Sequence, residues 1–167
     1  IAGGIPTGTY GLSAHLAEKI LSRTDLDLVD MGGVGGTLAG NPLQVAAMRA
    51  TLEKVLTEDN FKYMIDLATV FTDGVNELFE KYDLPWSINQ LGARAEYRFA
   101  KPYPKTGTSA FNSADAELED YLHVFLANRG IMLTPFHNMA LMCPTTTLAD
   151  VEKHHEVFEA AIKELVS

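Results

Sequence analysis

The clearest pattern in the chain runs from about Asp59 to Lys81. There Phe61, Met64, Ile65, Ala68, Phe71, Val75, Leu78, Phe79 and Tyr82 recur at spacings of three and four, the apolar stripe of an amphipathic helix. Asp83-Leu84-Pro85 ends it. The period then drops to two: Ala93, Ala95, Tyr97 and Phe99 alternate with Arg94, Glu96 and Arg98, as in a half-buried strand. Gly92 separates this run from Trp86–Leu91, so either two strands joined near Gly92 or one bent strand fits. Lys101 to Gly107, with two prolines, reads as a loop. Helical spacing returns from Asn112 or Ser113, with Leu118, Tyr121, Leu122, Phe125 and Leu126 facing inward and Gly130 placed as a C-terminal cap. Ile131–Thr134 and Met139–Cys143 read as short strands about Pro135. Thr147 and Asp150 form a capping-box-like start to a last helix with Val151, Phe158, Ala161, Ile162 and Leu165 as its stripe.

The first third is less regular. Thr7–Leu12 reads as a strand, and Ser13 caps a short helix to Leu21 with Leu16 and Ile20 on one face. Five glycines crowd Gly32–Gly40 and run into Asn41-Pro42. Asn is a strong N-cap and Pro suits the first helical position, so a helix is predicted from there to about Leu56, with Val45, Met48, Leu52, Val55 and Leu56 as its stripe. The second half thus reads β-β-α-β-β-α, an α+β arrangement with helices on one face of a short sheet. Residues 1–40 close no core of their own and read as the end of a different domain. The Gly-rich apolar opening, Ile1 to Gly8 without an initiator Met, suggests a piece of a longer chain.

Composition narrows the function. Asp and Glu outnumber Lys and Arg by 22 to 13, a formal charge of −9, which argues against a nucleic-acid surface. No apolar run approaches the roughly 20 residues that span a bilayer, and no segment has the layout of a signal peptide. The single cysteine, Cys143, cannot pair within the chain, which suits a reducing compartment, the cytoplasm.

Candidate chemistry centres on the glycine cluster. Such backbone can point several N–H groups into one concavity, and the helix behind it adds about half a positive charge. With the Thr37 hydroxyl this makes an anion site, although neither a nucleotide P-loop nor a dinucleotide fingerprint is present; the alternative is a glycine loop without a ligand. Arg94, Glu96 and Arg98 share one face of their strand. An Arg there could receive a carboxylate, but a solvated face on which Glu96 neutralises its neighbours is the preferred reading. None of His15, His123, His137, His154 and His155 shows a metal-ligand pattern. His154 and His155 read as surface residues and Cys143 as a small buried one, while His137 sits in a turn where binding residues collect.

Two segments carry a family resemblance. Ile1-Ala2-Gly3-Gly4-Ile5-Pro6-Thr7-Gly8-Thr9-Tyr10-Gly11 resembles the stretch after the cofactor-binding lysine of class III aminotransferases. Gly36-Thr37-Leu38-Ala39-Gly40-Asn41-Pro42-Leu43 resembles their downstream Gly-Thr-(Leu/Phe)-x-Gly-Asn-Pro-Leu element, in the matching order and separation. Gly92–Phe99 and Pro135–Pro144, followed by Thr147–Val151, are more loosely similar to the family's C-terminal domain. The version here is most similar to the branch holding glutamate-1-semialdehyde aminomutase and the β-amino-acid aminotransferases.

The resemblance implies an α/β chain: the end of a fold type I pyridoxal 5′-phosphate enzyme's large domain (1–40), a connecting helix (41–57) and a small C-terminal domain (58–167). The lysine that would hold the cofactor is expected two residues before Ile1, so no catalytic residue is assigned within the chain, and no metal. Gly36 and Thr37 match the family's phosphate-binding pair, which reaches the cofactor of the other subunit. A homodimer with shared active sites follows, acting on a small-molecule amino donor and a keto acceptor. In β-phenylalanine-type members an Arg that binds substrate carboxylate follows the turn proline. That place is Phe136 here, followed by His137 and Asn138, and these three are expected to line the substrate entrance. Arg94 and Arg98 stand as open candidates for the missing carboxylate partner. The implied activity is amino transfer to a 2-oxo acid or aldehyde. The alternatives are an aminomutase that shifts the amino group within one substrate, and a non-catalytic α/β oligomerisation module.

Overall fold

The computed structural model describes residues 1–23, 38–135 and 137–167. The chain divides into two compact units, 1–57 and 58–167.

In the first unit, α1 (Ala14–Leu21) starts where Ser13 Oγ accepts from the Leu16 N–H. Leu16 and Leu21 are exposed, and no residue of α1 is buried. The strand predicted over Thr7–Leu12 is not formed: the segment is irregular and pairs with no strand among the described residues, and an isolated strand leaves its ladder groups unpaired. The opening segment lies instead against α2 (Pro42–Lys54), where Gln44 Nε2 donates to Pro6 O at 2.8 Å and Thr9 Oγ1 meets Met48 Sδ at 3.7 Å. The predicted stripe of α2 is not a core face. Val45, Leu52 and Val55 are exposed, and Ala2 is the only buried apolar residue among the described residues of this unit.

The second unit carries the core. The helix α3 (Glu58–Lys81) buries Met64, Leu67, Ala68, Phe71, Val75, Leu78 and Phe79. It stops where Asp83 turns left-handed (φ 49°) and the Leu84 N–H reaches back to Phe79 O, a Schellman-type ending. The strands β1 (Ser87–Leu91) and β2 (Arg94–Arg98) form an antiparallel hairpin with Leu91 opposite Arg94. Two residues turn it, and Gly92, at φ 60°, takes the first place, where a primed turn requires that backbone. The short β3 (Met139–Leu141) pairs antiparallel with β2 to give the order β1-β2-β3. Residues 131–134 are not the expected strand; the Thr134 N–H bonds Met139 O at 3.2 Å as the chain enters the turn.

Between the strands the helical region is divided. Thr106 and Ser109 form a reciprocal capping box on α4 (Gly107–Asn112), and Asp115 caps α5 (Ala116–Ala127). The helix therefore does not begin at Asn112 or Ser113; Ser113 closes α4. The last helix, α6 (Leu148–Leu165), opens on the Thr147–Asp150 box. It packs on α3 and α5, and α3 packs on β1 and β2. Phe79 lies edge-on to Trp86 at 5.6 Å and to Phe158 at 6.3 Å, and Tyr97 meets Phe158 at 5.1 Å. This aromatic cluster joins helix to sheet and supplies large buried area with preferred ring geometry.

Candidate functional site

Gly36 and Thr37 lie outside the described residues, so the structure speaks of the anion loop only from Leu38 onward. Residues 38–40 turn, with Gly40 at φ 67°, and the Asn41 N–H bonds Leu38 O. Asn41 Oδ1 accepts from the N–H groups of Leu43 and Gln44, at 3.0 and 3.4 Å. Pro42 has no N–H, and that of Val45 already bonds Asn41 O. The first turn of α2 has therefore committed its donors to its own cap. An anion placed before it would feel the helix field, but its hydrogen bonds would have to come from the loop.

In the second unit the sequence-predicted residues separate into two groups. Arg98 Nη2 lies 2.7 Å from Glu96 Oε1, with both side chains mostly buried, and His137 Nδ1 lies 3.4 Å from the same oxygen. Arg98 and His137 thus meet through Glu96, on the β2 face opposite the core residues Ala95 and Tyr97. The carboxylate neutralises Arg98, in keeping with the preferred reading of that face, and leaves the arginine poorly suited to take a substrate carboxylate without losing its partner. Asn138 turns elsewhere. It is 1% exposed, its Nδ2 reaches Glu119 Oε1 on α5 at 3.4 Å, and its backbone O accepts from the Tyr97 N–H at 3.0 Å. Burial, with the negative charge of Glu119 second, holds the Tyr97 hydroxyl protonated far above the usual range. Phe136 lies outside the described residues. The His137 N–H bonds Thr134 O at 3.2 Å, and the His137 ring stands half in solvent. Arg94 is exposed at the end of β2.

Three readings from sequence are corrected. His154 is not a surface residue: it is 3% exposed, its ring stacks on Phe158 at 5.3 Å, and Phe71 lies 4.5 Å away. Burial depresses its pKa to about 3, with the neighbouring His155 adding a smaller push, because an apolar surround disfavours the imidazolium. His155 is half-buried, with Nε2 3.1 Å from Phe71 O. Cys143 is not buried but exposed. Hydrogen bonds to its sulfur from the hydroxyls of Thr145 and Thr146, each at 3.2 Å, bring the thiol down to about 7. The signal missed was the pair of hydroxyls after Pro144. Among the described residues no His, Cys, Asp and Glu cluster could hold a metal, and no helix is long and apolar enough to cross a membrane.

Comparison with known proteins places these features. The family described as Aminotransferase class-III matches residues 1–165. Among curated relatives, a glutamate-1-semialdehyde 2,1-aminomutase 2 of Staphylococcus haemolyticus is 27% identical over 169 residues, 99% of this chain and 37% of its own length. Among solved structures, a lysine-to-alanine variant of a glutamate-1-semialdehyde aminomutase from Pseudomonas aeruginosa, in complex with PMP, is 42% identical. It superposes with a TM-score of 0.90 over 99% of this chain and 37% of that one. A β-phenylalanine aminotransferase from Variovorax paradoxus is 19% identical at a TM-score of 0.71, covering 85% of this chain and 34% of that one, a likeness of fold alone. The chain spans little more than a third of the length of the relatives it matches.

Proposed function

Because the chain belongs to the class III aminotransferase family, we propose that it serves in a pyridoxal-phosphate enzyme that shifts an amino group between neighbouring carbons of one substrate, as an aminomutase does. The observation that carries this reading is the 42% identity and 0.90 TM-score to the Pseudomonas aminomutase across nearly the whole chain. The donor set fits a phosphate dianion: glycine N–H groups and the Thr37 hydroxyl, in a stretch from Met31 to Leu52 without one acidic residue. Gly36 and Thr37 would hold the phosphate, and the Asn41 cap would fix the end of their loop. When bound, the cofactor would supply the electron-accepting ring that amino transfer requires.

The chain's own residues would act at the edges of the reaction. Phe136 and His137 would line the substrate entrance. Asn138, anchored to Glu119 and Tyr97, would hold the turn, while Arg98, paired with Glu96, would shape the wall rather than grip a free carboxylate. In this reading Gly36 and Thr37 serve the active site of a second subunit, which makes the enzyme a homodimer, and the single cysteine suits the cytoplasm. Amino transfer from a separate donor to a keto acceptor is the second reading, favoured by the description of the family as a whole.

The two readings separate in one experiment. The full-length protein is given glutamate-1-semialdehyde with no second carbonyl compound. An aminomutase moves the amino group to carbon 1 and leaves a ketone at carbon 2, without consuming an acceptor. Turnover that stops until a 2-oxo acid is added supports the aminotransferase instead. Replacing Thr37 by Val should release cofactor more readily on gel filtration. Undiminished retention would remove Thr37 from the phosphate site.

A further inference from the structure

The face of the sheet away from its buried residues Ala95 and Tyr97 carries a charged cluster. There β2, the central strand, sets Glu96 and Arg98 two residues apart on one side, with Glu96 Oε1 2.7 Å from Arg98 Nη2. The bond from the Tyr97 N–H to Asn138 O carries the ladder one step past β3 and brings His137 beside Arg98, 3.4 Å from the same oxygen. That oxygen is buried and makes no aligned hydrogen bond, so charge is what binds the cluster. The partners across the ladder are neutral: Ser87 stands opposite Arg98, and Asn89 and Met139 stand opposite Glu96. From Leu84 to Ala114 the chain carries four cations, Arg94, Arg98, Lys101 and Lys105, and Glu96 as its single carboxylate. The Arg98 side chain is 20% exposed, and its planar fork suits a carboxylate. What denies that fork to a ligand is Glu96.

We propose that Glu96 is a specificity-determining residue: by occupying Arg98 it bars a carboxylate from this wall of the substrate entrance. The substrate class is then an amino compound whose end at this wall carries no carboxylate. The inference rests on the reading that the turn at His137 lines the entrance. It works by exclusion. An incoming carboxylate meets the negative charge of Glu96 and has to displace a partner that is already mostly out of water. Glutamine at position 96 would keep the size of the side chain and remove its charge. The mostly buried guanidinium of Arg98 would then stand without an anion, which is costly, and a ligand carboxylate would restore the balance. The surplus of cations between Leu84 and Ala114 would favour that ligand once Glu96 no longer offsets it.

The test uses the full-length holoenzyme, with succinate as the probe and succinamide as its uncharged counterpart. In Glu96→Gln, succinate should raise the melting temperature and should inhibit turnover about tenfold more strongly than in the unaltered enzyme, the scale of one charge-assisted pair. Succinamide should do neither. Adding Arg98→Met to Glu96→Gln should abolish both gains. Should Glu96→Gln fail to fold, Glu96→Asp carries the same comparison with smaller gains, since it draws the charge back from the guanidinium by one methylene. Succinate that acts equally on the unaltered enzyme and on these variants would overturn the proposal. So would stabilisation without any gain in inhibition, because Arg98 would then lie off the substrate path. Melting is read without turnover, and whether the amino group is shifted or transferred is decided by the acceptor requirement of the unaltered enzyme, so a failure of the aminomutase reading is seen separately.

Discussion

Gly74 sits in the middle of α3 facing the ring of His155 on α6. A methyl group at Gly74 would lie 2.3 Å from His155 Cε1, 2.7 Å from Nδ1 and 2.8 Å from Nε2. No Cβ tolerates those distances, so the imidazole must swing away. It would then lose its 3.1 Å contact with Phe71 O and its place 5.7 Å from the Phe71 ring. Alanine improves an exposed helix interior by about 1 kcal/mol over glycine, but overpacking costs about 1–3 kcal/mol and the lost hydrogen bond about 1 kcal/mol. Gly74→Ala should therefore destabilise by about 1–2 kcal/mol on balance. In a His155→Ala background the obstacle is gone, and the same change should stabilise by about 1 kcal/mol through helix propensity alone. The sign reverses, with a coupling of about 2–3 kcal/mol. Urea unfolding of the chain reads this directly, since Trp86 is its one tryptophan and is buried in the core of the second unit. If Gly74→Ala shifts stability equally in both backgrounds, to within about 0.5 kcal/mol, the two positions do not compete for the same space.

Acid should destabilise the second unit through His154. Its folded pKa of about 3 lies below the ordinary imidazole value of 6.5, so between those limits the unfolded chain binds a proton that the native state refuses. The stabilising contribution is complete above about pH 6.5 and is lost on acidification at up to about 1.4 kcal/mol per pH unit; His154→Phe should flatten that slope in urea titrations at several pH values. Asn41→Ala removes the cap that serves Leu43 and Gln44 and should weaken α2 by about 1 kcal/mol; faster amide exchange in the first turn of α2 reports it, and Asn41→Asp should restore protection. In the full-length enzyme His137→Ala should raise KM more than it lowers kcat; kinetics unchanged toward every donor would remove the residue from the substrate entrance.

The apolar pattern located α3, α6, the β1–β2 hairpin and the caps of α1, α2 and α6, because those elements bury a face within one unit or carry their own capping side chains. Where an element needs a partner, the pattern misled. The stripe on α2 is real in sequence but meets no core among the described residues, and Thr7–Leu12 has no strand to pair with. Two local signals were present and misread. His154 falls between Val151 and Phe158 on the inward spacing of α6, yet its polarity suggested the surface. Cys143 follows the alternation of Ala140 in, Leu141 out and Met142 in, which turns it outward. At the site, the neighbourhood of Arg98 and Glu96 was legible from their i, i+2 spacing on one strand face. The meeting of Glu96 with His137, and the burial of Asn138 against Glu119, depend on how the chain returns after α5, which spacing does not encode.

Asn41 gives the glycine loop an independent footing. The side chain that closes α2 belongs to the helix itself, so the helix does not depend on an anionic guest to stay wound. Occupancy of the loop and melting of α2 should then be linked only through the helix field and not through shared hydrogen bonds: emptying the site changes what the loop holds and leaves the rod behind it wound, ready to be refilled without a refolding step.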